Sequence, residues 1–169
     1  VLADGMIEVF AAVNGMGQGI ATSLAQLVVD VFDVPLERVR VVLGDTDRGD
    51  GFGSAGSRSI FAGGSAVRVG SERAVDHMRQ LAADKLEANV QDVTYGTGRF
   101  TVKGTDLGIG LFELAAAQEG QRIHLESTSA VSGPSWPNAC HICEIELTPE
   151  TGEVAVVAYA SVNDVGRVV

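Results

Sequence analysis

Met6-Ile7-Glu8-Val9-Phe10-Ala11-Ala12-Val13-Asn14-Gly15-Met16-Gly17-Gln18-Gly19-Ile20 opens a stretch, continuing to Phe32, whose reading decides the architecture. Met6 to Val13 is dense in apolar and β-forming residues and stops at Asn14-Gly15, the chemistry of a strand running into a turn. From Ile20 to Phe32 the apolar positions Ile20, Leu24, Leu27, Val28 and Val31 recur at helical spacing, and Pro35 stands just beyond the end. A strand, a glycine loop and a helix therefore follow one another.

Working outward, Val39 to Leu43 forms a short apolar run that predicts a strand, and Gly44 to Ser59 is a long Gly/Ser/Asp loop without periodicity. Val67, Gly70, Ala74, Met78, Leu81 and Leu86 follow one stripe and predict a second helix over about Ala62 to Ala88. Asp92 to Tyr95 and Arg99 to Val102 flank Gly96-Thr97-Gly98 as a small hairpin. Gly108 to Ala117 suggests a short helix weakened by two glycines. In the last third, Arg122 to Val131, Ala139 to Leu147 and Glu153 to Val162 predict neighbouring antiparallel strands, with Pro149-Glu150-Thr151-Gly152 as a turn. The expected class is α+β, with helices packed on a mixed, largely antiparallel β-sheet. At 169 residues, one domain is expected, and it carries no internal repeat.

The composition narrows the function. With 46% hydrophobic and 20% charged residues the chain has the usage of a folded domain. A formal net charge of −10, from 12 Lys+Arg against 22 Asp+Glu, disfavours nucleic acid and anionic membrane surfaces as partners. No apolar run reaches the roughly 18 residues of a membrane span, and Val1-Leu2-Ala3-Asp4-Gly5 lacks the pattern of a signal peptide. Cys140 and Cys143 are too few for a disulfide framework, and strand spacing puts them on opposite faces, so reduced thiols and a cytoplasmic setting are expected. A start at valine and a stop just as an apolar run resumes at Val168-Val169 suggest a piece of something longer.

The 21 glycines concentrate in loops, and two of those loops can carry chemistry. Gly15-Met16-Gly17-Gln18-Gly19 precedes a helix, where backbone N–H groups and the helix dipole favour an anionic or polar ligand. It lacks the Lys-Ser/Thr ending of a P-loop and the spacing of the dinucleotide fingerprint. Standing alone, it is explained equally well as a ligand-free glycine turn. The amide of Gln18 can donate and accept toward a heterocycle or an oxo group, or simply face water. Gly51-Phe52-Gly53-Ser54-Ala55-Gly56-Ser57-Arg58-Ser59 is a second loop leading into a helix. There Ser57 and Ser59 can cap the helix and Arg58 can bind a phosphate, although for a lone arginine in so acidic a chain a surface salt bridge is the commoner outcome.

Taken in order, Gly15-Met16-Gly17-Gln18-Gly19, Thr22 and Gln26 on the helix, Pro35, Glu37, Val39, Gly44-Asp45-Thr46-Asp47 and Gly56-Ser57-Arg58-Ser59 resemble the large, molybdenum-cofactor-binding subunit of xanthine dehydrogenase/aldehyde oxidase-type molybdenum hydroxylases. Pro137-Asn138-Ala139-Cys140-His141-Ile142-Cys143-Glu144, Pro149-Glu150-Thr151-Gly152-Glu153 and Asn163-Asp164-Val165-Gly166-Arg167 are similar to later strands of the same region. The resemblance spans nearly the whole chain and is weakest from about Val90 to Gln121. It implies that residues 1–169 are part of the molybdopterin-binding region of a larger subunit. It also implies that Gly17, Gln18 and Gly19 in one loop, and Gly56, Ser57, Arg58 and Ser59 in the other, hold a molybdenum–molybdopterin cofactor, with the cytosine dinucleotide form among the candidates.

The family's glycine-phenylalanine segment, substrate-pocket arginine and glutamate base are not found here, so the resemblance assigns no catalytic residue and no metal ligand to this chain. It implies an oxidoreductase that hydroxylates a heterocycle or aldehyde with oxygen from water. Iron–sulfur and FAD centres would sit on other domains or subunits, which with the rest of the large subunit would be its partners. The fragment alone is expected to be inactive. A non-catalytic binding or interaction domain that kept the fold without the cofactor is the alternative, and the flanking gene discriminates the two.

Other residues invite chemistry and are better explained structurally. Cys140, His141 and Cys143 form a single cluster split between two strand faces, unlike a zinc site. Glu144 and Glu146 suit a solvated strand face. Asp45, Asp47 and Asp50 lack the terminal glutamate of a calcium loop.

Overall fold

The computed structural model describes residues 1–133 and 135–169. Contacts divide the chain into two compact units, Val1–Gly133 and Pro134–Val169, where length alone leads to one.

In the first unit, β1 (Ile7–Ala11) and β2 (Val39–Leu43) pair in parallel, from Ile7 opposite Val39 to Ala11 opposite Leu43. Parallel neighbours require a crossover, and α1 (Ile20–Phe32) supplies it, burying Ile20, Leu24, Ala25, Val28 and Phe32. The expected strand, helix and strand are all present. After β2 the long loop leads into a π-helical turn, Ser59–Gly64, and then α2 (Ser65–Lys85). Helical structure thus begins three residues before the expected Ala62, in a wider coil, and α2 ends at Lys85 just before Glu87 takes a positive φ of 51°.

A three-stranded antiparallel sheet follows: β3 (Val93–Gly96), β4 (Arg99–Val102) and β5 (Gly108–Gly110). Thr97 and Gly98 join β3 to β4 with φ of 50° and 67°, the two-residue hairpin geometry whose twist matches the strands. The short helix expected from Gly108 starts later, as α3 (Leu111–Ala116). Its two glycines belong to β5 instead, because β4 approaches closely: a Cβ on Gly108 would lie 2.7 Å from the Phe100 carbonyl oxygen. Phe100, Leu24, Met78, Leu111, Leu114 and Val28 are fully buried, so the helices and both sheets share one core. Each such side chain contributes about 1.5–3 kcal/mol of burial free energy.

The strand expected over Arg122 to Val131 is not formed. Arg122 makes an isolated bridge to Leu2, and the Ile123 N–H donates to Val1, after which residues 124–131 make no backbone hydrogen bond among the described residues. Burial still alternates along residues 125–131. The period-2 pattern therefore reports an extended segment with one covered face, whereas a strand also needs a neighbour's backbone.

In the second unit β6 (Asn138–Thr148) and β7 (Glu153–Asp164) form an antiparallel ribbon. Its turn closes with the Gly152 N–H donating to the Thr148 carbonyl at 2.8 Å. Glu144 faces Ala158 while Ile145 faces Val156, which leaves Val157 as an extra residue and bends the ribbon. Every residue of both strands is exposed. The class is α+β, with one parallel pair and two antiparallel sheets among the described residues in place of a single mixed sheet. No helix among the described residues is long and apolar enough to cross a membrane.

Candidate functional site

Parallel pairing has a direct consequence for the two glycine loops. Because β1 and β2 run in the same direction and end level at Ala11 and Leu43, the segments that leave them emerge at the same carboxyl edge. That edge is where open α/β arrangements characteristically receive ligands. Residues 14–19 and 51–59, forty positions apart in sequence, meet there.

Asn14 is the hub of the meeting. Its N–H donates to Ser54 Oγ at 2.9 Å, and its carbonyl accepts from the Ser54 hydroxyl at 2.9 Å and from Gln18 Nε2 at 2.9 Å. The Ser59 hydroxyl donates to Ser54 Oγ at 2.8 Å. The first loop is closed from within, since Gln18 Oε1 accepts from the Met16 N–H while its amide nitrogen reaches Asn14. Gln18 thus braces its own loop and keeps one amide hydrogen for another partner. Close packing reinforces the junction: a Cβ on Gly51 would lie 2.3 Å from Ala12 Cβ.

The remaining sequence-identified residues fall around this junction. Gly17, Gly19 and Gly56 take positive φ of 86°, 74° and 58°, and a Cβ on any of them would meet nothing within 4 Å, so the backbone there is open to a ligand. Gly19 caps α1 without a side-chain bond, which leaves the first-turn N–H groups of that helix available to an anion. Ser57 sits at φ 56°, directly after Gly56 in the same left-handed turn. The expected capping by Ser57 and Ser59 does not occur: Arg58 holds the cap position without a side-chain cap bond, and Ser59 turns to Ser54. Nor does Arg58 form an ion pair among the described residues. Its guanidinium lies 4.6 Å from the centroid of the exposed Phe52 ring, an arrangement that occupies the cation's face and leaves its N–H edge for a planar anion.

A charge network anchors the start of the second loop. Glu8 on β1 accepts from Arg40 Nε at 2.9 Å, its register partner on β2, and also pairs with Arg48. Arg48 in turn meets Asp45 Oδ2 at 3.0 Å. The hydrogen bond from Arg48 is the largest influence on the Glu8 carboxyl and, with that from Arg40, holds it below the usual glutamate range against the opposing effect of burial. Asp45 is therefore engaged in the loop's own structure, and its carboxylate also receives the Asp47 N–H at 3.2 Å.

On the ribbon, Cys140 and Cys143 are free and exposed, and His141 Nδ1 lies 3.0 Å from the Tyr159 hydroxyl. No group of three or more His, Cys, Asp or Glu side chains able to hold a metal ion occurs among the described residues. Sequence reasoning missed Asn14 and Ser54, the residues that join the loops. The available signal was the strand-helix-strand order, which already implies parallel strands with their exit loops at one edge.

The uncapped helix start, the open glycine backbone and the free edge of Arg58 fit a ligand that is anionic and rich in hydrogen-bonding atoms, as a phosphorylated pterin is. Comparison with known proteins agrees. The model of the molybdopterin cofactor-binding domain matches residues 1–169. The chain is 33% identical, over 98% of its length, to the 6-hydroxypseudooxynicotine dehydrogenase complex subunit gamma of Paenarthrobacter nicotinovorans. It is 30% identical, over 98% of its length, to the nicotine 6-hydroxylase large subunit of the same organism. It spans 22% of each of these relatives. The structure of a Cu,Mo-CO dehydrogenase shares the fold, with a TM-score of 0.77 and 24% identity, covering 96% of this chain and 22% of that one. The chain belongs to the molybdopterin cofactor-binding domain family, in the group of molybdenum hydroxylases that the sequence resembles.

Proposed function

We propose that Gly17, Gln18, Gly19, Gly56, Ser57, Arg58 and Ser59 form one wall of the molybdopterin site of a larger molybdenum hydroxylase. The observation that carries this reading is the meeting of the two loops through Asn14 at the carboxyl edge of β1 and β2. The first-turn N–H groups of α1 and the Arg58 edge receive the cofactor's anionic atoms, and the open backbone at Gly17, Gly19 and Gly56 permits close approach. Gln18 keeps the first loop closed and offers its remaining amide hydrogen. When bound, the cofactor supplies the redox chemistry, and the protein positions it.

The parent enzyme, in this proposal, hydroxylates a nitrogen heterocycle with oxygen from water. Relatives named for nicotine and 6-hydroxypseudooxynicotine support a heterocycle over an aldehyde. Their names also describe a large subunit and a member of a complex, which supports partner subunits, and the proposal puts iron–sulfur and FAD centres on those partner domains or subunits. A cytosine dinucleotide form of the cofactor and a cytoplasmic location complete the proposal.

Gln18→Ala and Gly56→Val in the full-length enzyme test it, with molybdenum and pterin content measured beside folding. Loss of the amide weakens cofactor retention by about 1–3 kcal/mol, the cost of leaving alone hydrogen-bond partners that are exposed in the chain and covered once the cofactor binds. Valine at position 56 closes the open backbone and cannot easily take the positive φ. In this proposal the 169-residue chain does not turn over substrate by itself, since none of the seven residues assigned to the cofactor is a general base. Two folded variants with full cofactor content and full activity overturn the assignment of the loops.

A further inference from the structure

The Ser54 hydroxyl has one hydrogen and two acceptor sites, and the structure engages all three. Its hydrogen goes to the Asn14 carbonyl, which can only accept, and its lone pairs take the Asn14 N–H and the Ser59 hydroxyl. Since the only hydrogen of Ser54 is committed to Asn14, the hydrogen between the two serines must come from Ser59. Ser54 therefore has no capacity left for a ligand, while Ser59 has spent its hydrogen and faces any ligand as an acceptor only. The Asn14 carbonyl is likewise saturated, by Ser54 and Gln18. Ser54 is half-buried, whereas residues 55–58 that follow it are exposed.

We propose that Ser54 is a positioning residue: its hydroxyl sets the distance between the Gly17–Gly19 and Gly56–Ser59 loops, and the orientation of Ser59, without touching the cofactor. The proposal rests on the reading of these loops as cofactor-binding. Its chemical logic is that, among the described residues, Ser54 is the one side chain of the junction whose hydrogen bonds reach both loops, the Asn14 backbone being its counterpart and beyond the reach of side-chain substitution. Gln18 braces only its own loop, and Ser59 bonds only within the second. Removing the hydroxyl leaves the Asn14 N–H without an acceptor and frees Ser59 to turn its hydrogen elsewhere, so two loops that were one surface become two independently moving ones.

The test uses the full-length enzyme in three variants. Ser54→Ala removes all three bonds, Ser54→Cys keeps the volume with a poor donor and acceptor, and Ser54→Thr keeps the hydroxyl. Pterin and molybdenum content, the rate of pterin release from purified enzyme and the thermal midpoint are measured for each. Ser54→Ala and Ser54→Cys should release pterin about tenfold faster than the wild type, as loss of one or two net hydrogen bonds implies. Ser54→Thr should restore the wild-type rate, which a role in packing alone does not explain. If Ser54→Ala fails to fold, the comparison of Cys with Thr carries the same decision. Wild-type release rates in the Ala and Cys variants of a pterin-loaded enzyme overturn this proposal alone. A full-length wild type that carries no pterin overturns the cofactor reading, and this proposal with it.

Discussion

The body formed by Val1–Gly133 and the ribbon formed by β6 and β7 are both rich in apolar residues, yet only the body buries them. Phe100, Leu24, Met78, Leu111 and Leu114 are fully enclosed, whereas Ile142, Ile145, Val154, Val156, Tyr159 and Val162 are all more than half exposed. The two regions use the same raw material. What differs is layering: α1, α2 and α3 lie over the sheets of the body, while the strands of the ribbon are exposed on both faces. A strand pair gains backbone hydrogen bonds from its partner, but burial comes from a second layer, and a two-stranded ribbon without one is marginally stable in water. An apolar alternation in sequence therefore specifies that a residue belongs against something, not that the same chain supplies it.

Substitutions of equal chemistry in the two regions break or uphold this contrast. Phe100→Ala should destabilise the 169-residue chain by about 3–5 kcal/mol, because the fully enclosed ring leaves a cavity that its neighbours fill only in part. Val156→Ala, at 66% exposure, should stay within about 0.5 kcal/mol. Urea unfolding monitored by circular dichroism measures both, and losses of comparable size would show that the ribbon has a covered face after all.

The same contrast explains what was legible in the sequence. Helical spacing from Ile20 to Phe32 gave α1 to the residue, and Val39 to Leu43 gave β2, because both are framed by turn chemistry and pack against the body, α1 with a buried face and β2 largely half-buried. The expected strand over Arg122 to Val131 failed because periodicity carries no information about a pairing partner. The short helix expected from Gly108 forms only from Leu111, because the close approach of β4 draws Gly108 to Gly110 into a strand. The glycine loops could be found as loops, from composition alone. Their union through Asn14 and Ser54 could not, since nothing in the local sequence distinguishes Ser54 from the neighbouring serines, and the bond spans forty residues.

A sharper test concerns how tightly the body is built around those loops. Gly51→Ala adds a single methyl group, but that atom would lie 2.3 Å from Ala12 Cβ and 2.8 Å from the Ala12 carbonyl oxygen, so either backbone must shift. A cost of about 1–3 kcal/mol is expected, typical of overpacking. Gly152→Ala in the ribbon turn meets nothing within 4 Å and suffers only from its positive φ of 74°, a strain of about 1–2 kcal/mol. Relief by Ala12→Gly then separates the two: it should recover part of the stability for Gly51→Ala, since the contact with the Ala12 carbonyl oxygen stays, and leave Gly152→Ala unchanged. A Gly51→Ala chain as stable as the wild type would mean that the loop can move aside, and that the body is looser at its carboxyl edge than the packing implies.

The smallest effect is electrostatic and tests whether the second loop is part of the body's stability or merely attached to it. Glu8 is held below its ordinary titration range chiefly by Arg48, which belongs to that loop, and further by Arg40 on β2. A carboxyl group with a depressed folded-state pKa contributes stability that is fully present above its unfolded value of 4.5 and is lost as pH falls through the folded value. The wild type should therefore melt above Glu8→Gln at pH 6, and the difference should shrink as the pH is lowered from about 4.5. Both arginines are largely solvated, so the difference at pH 6 should be no more than about 2 °C and should decline with added salt. The comparison of the two proteins at each pH removes the general effect of titrating a chain with a net charge of −10. A difference in melting temperature that stays constant from pH 6 to pH 3.5 would mean that Glu8 acts through packing on β1, and that the loop's first turn is not electrostatically tied to the sheet that presents it.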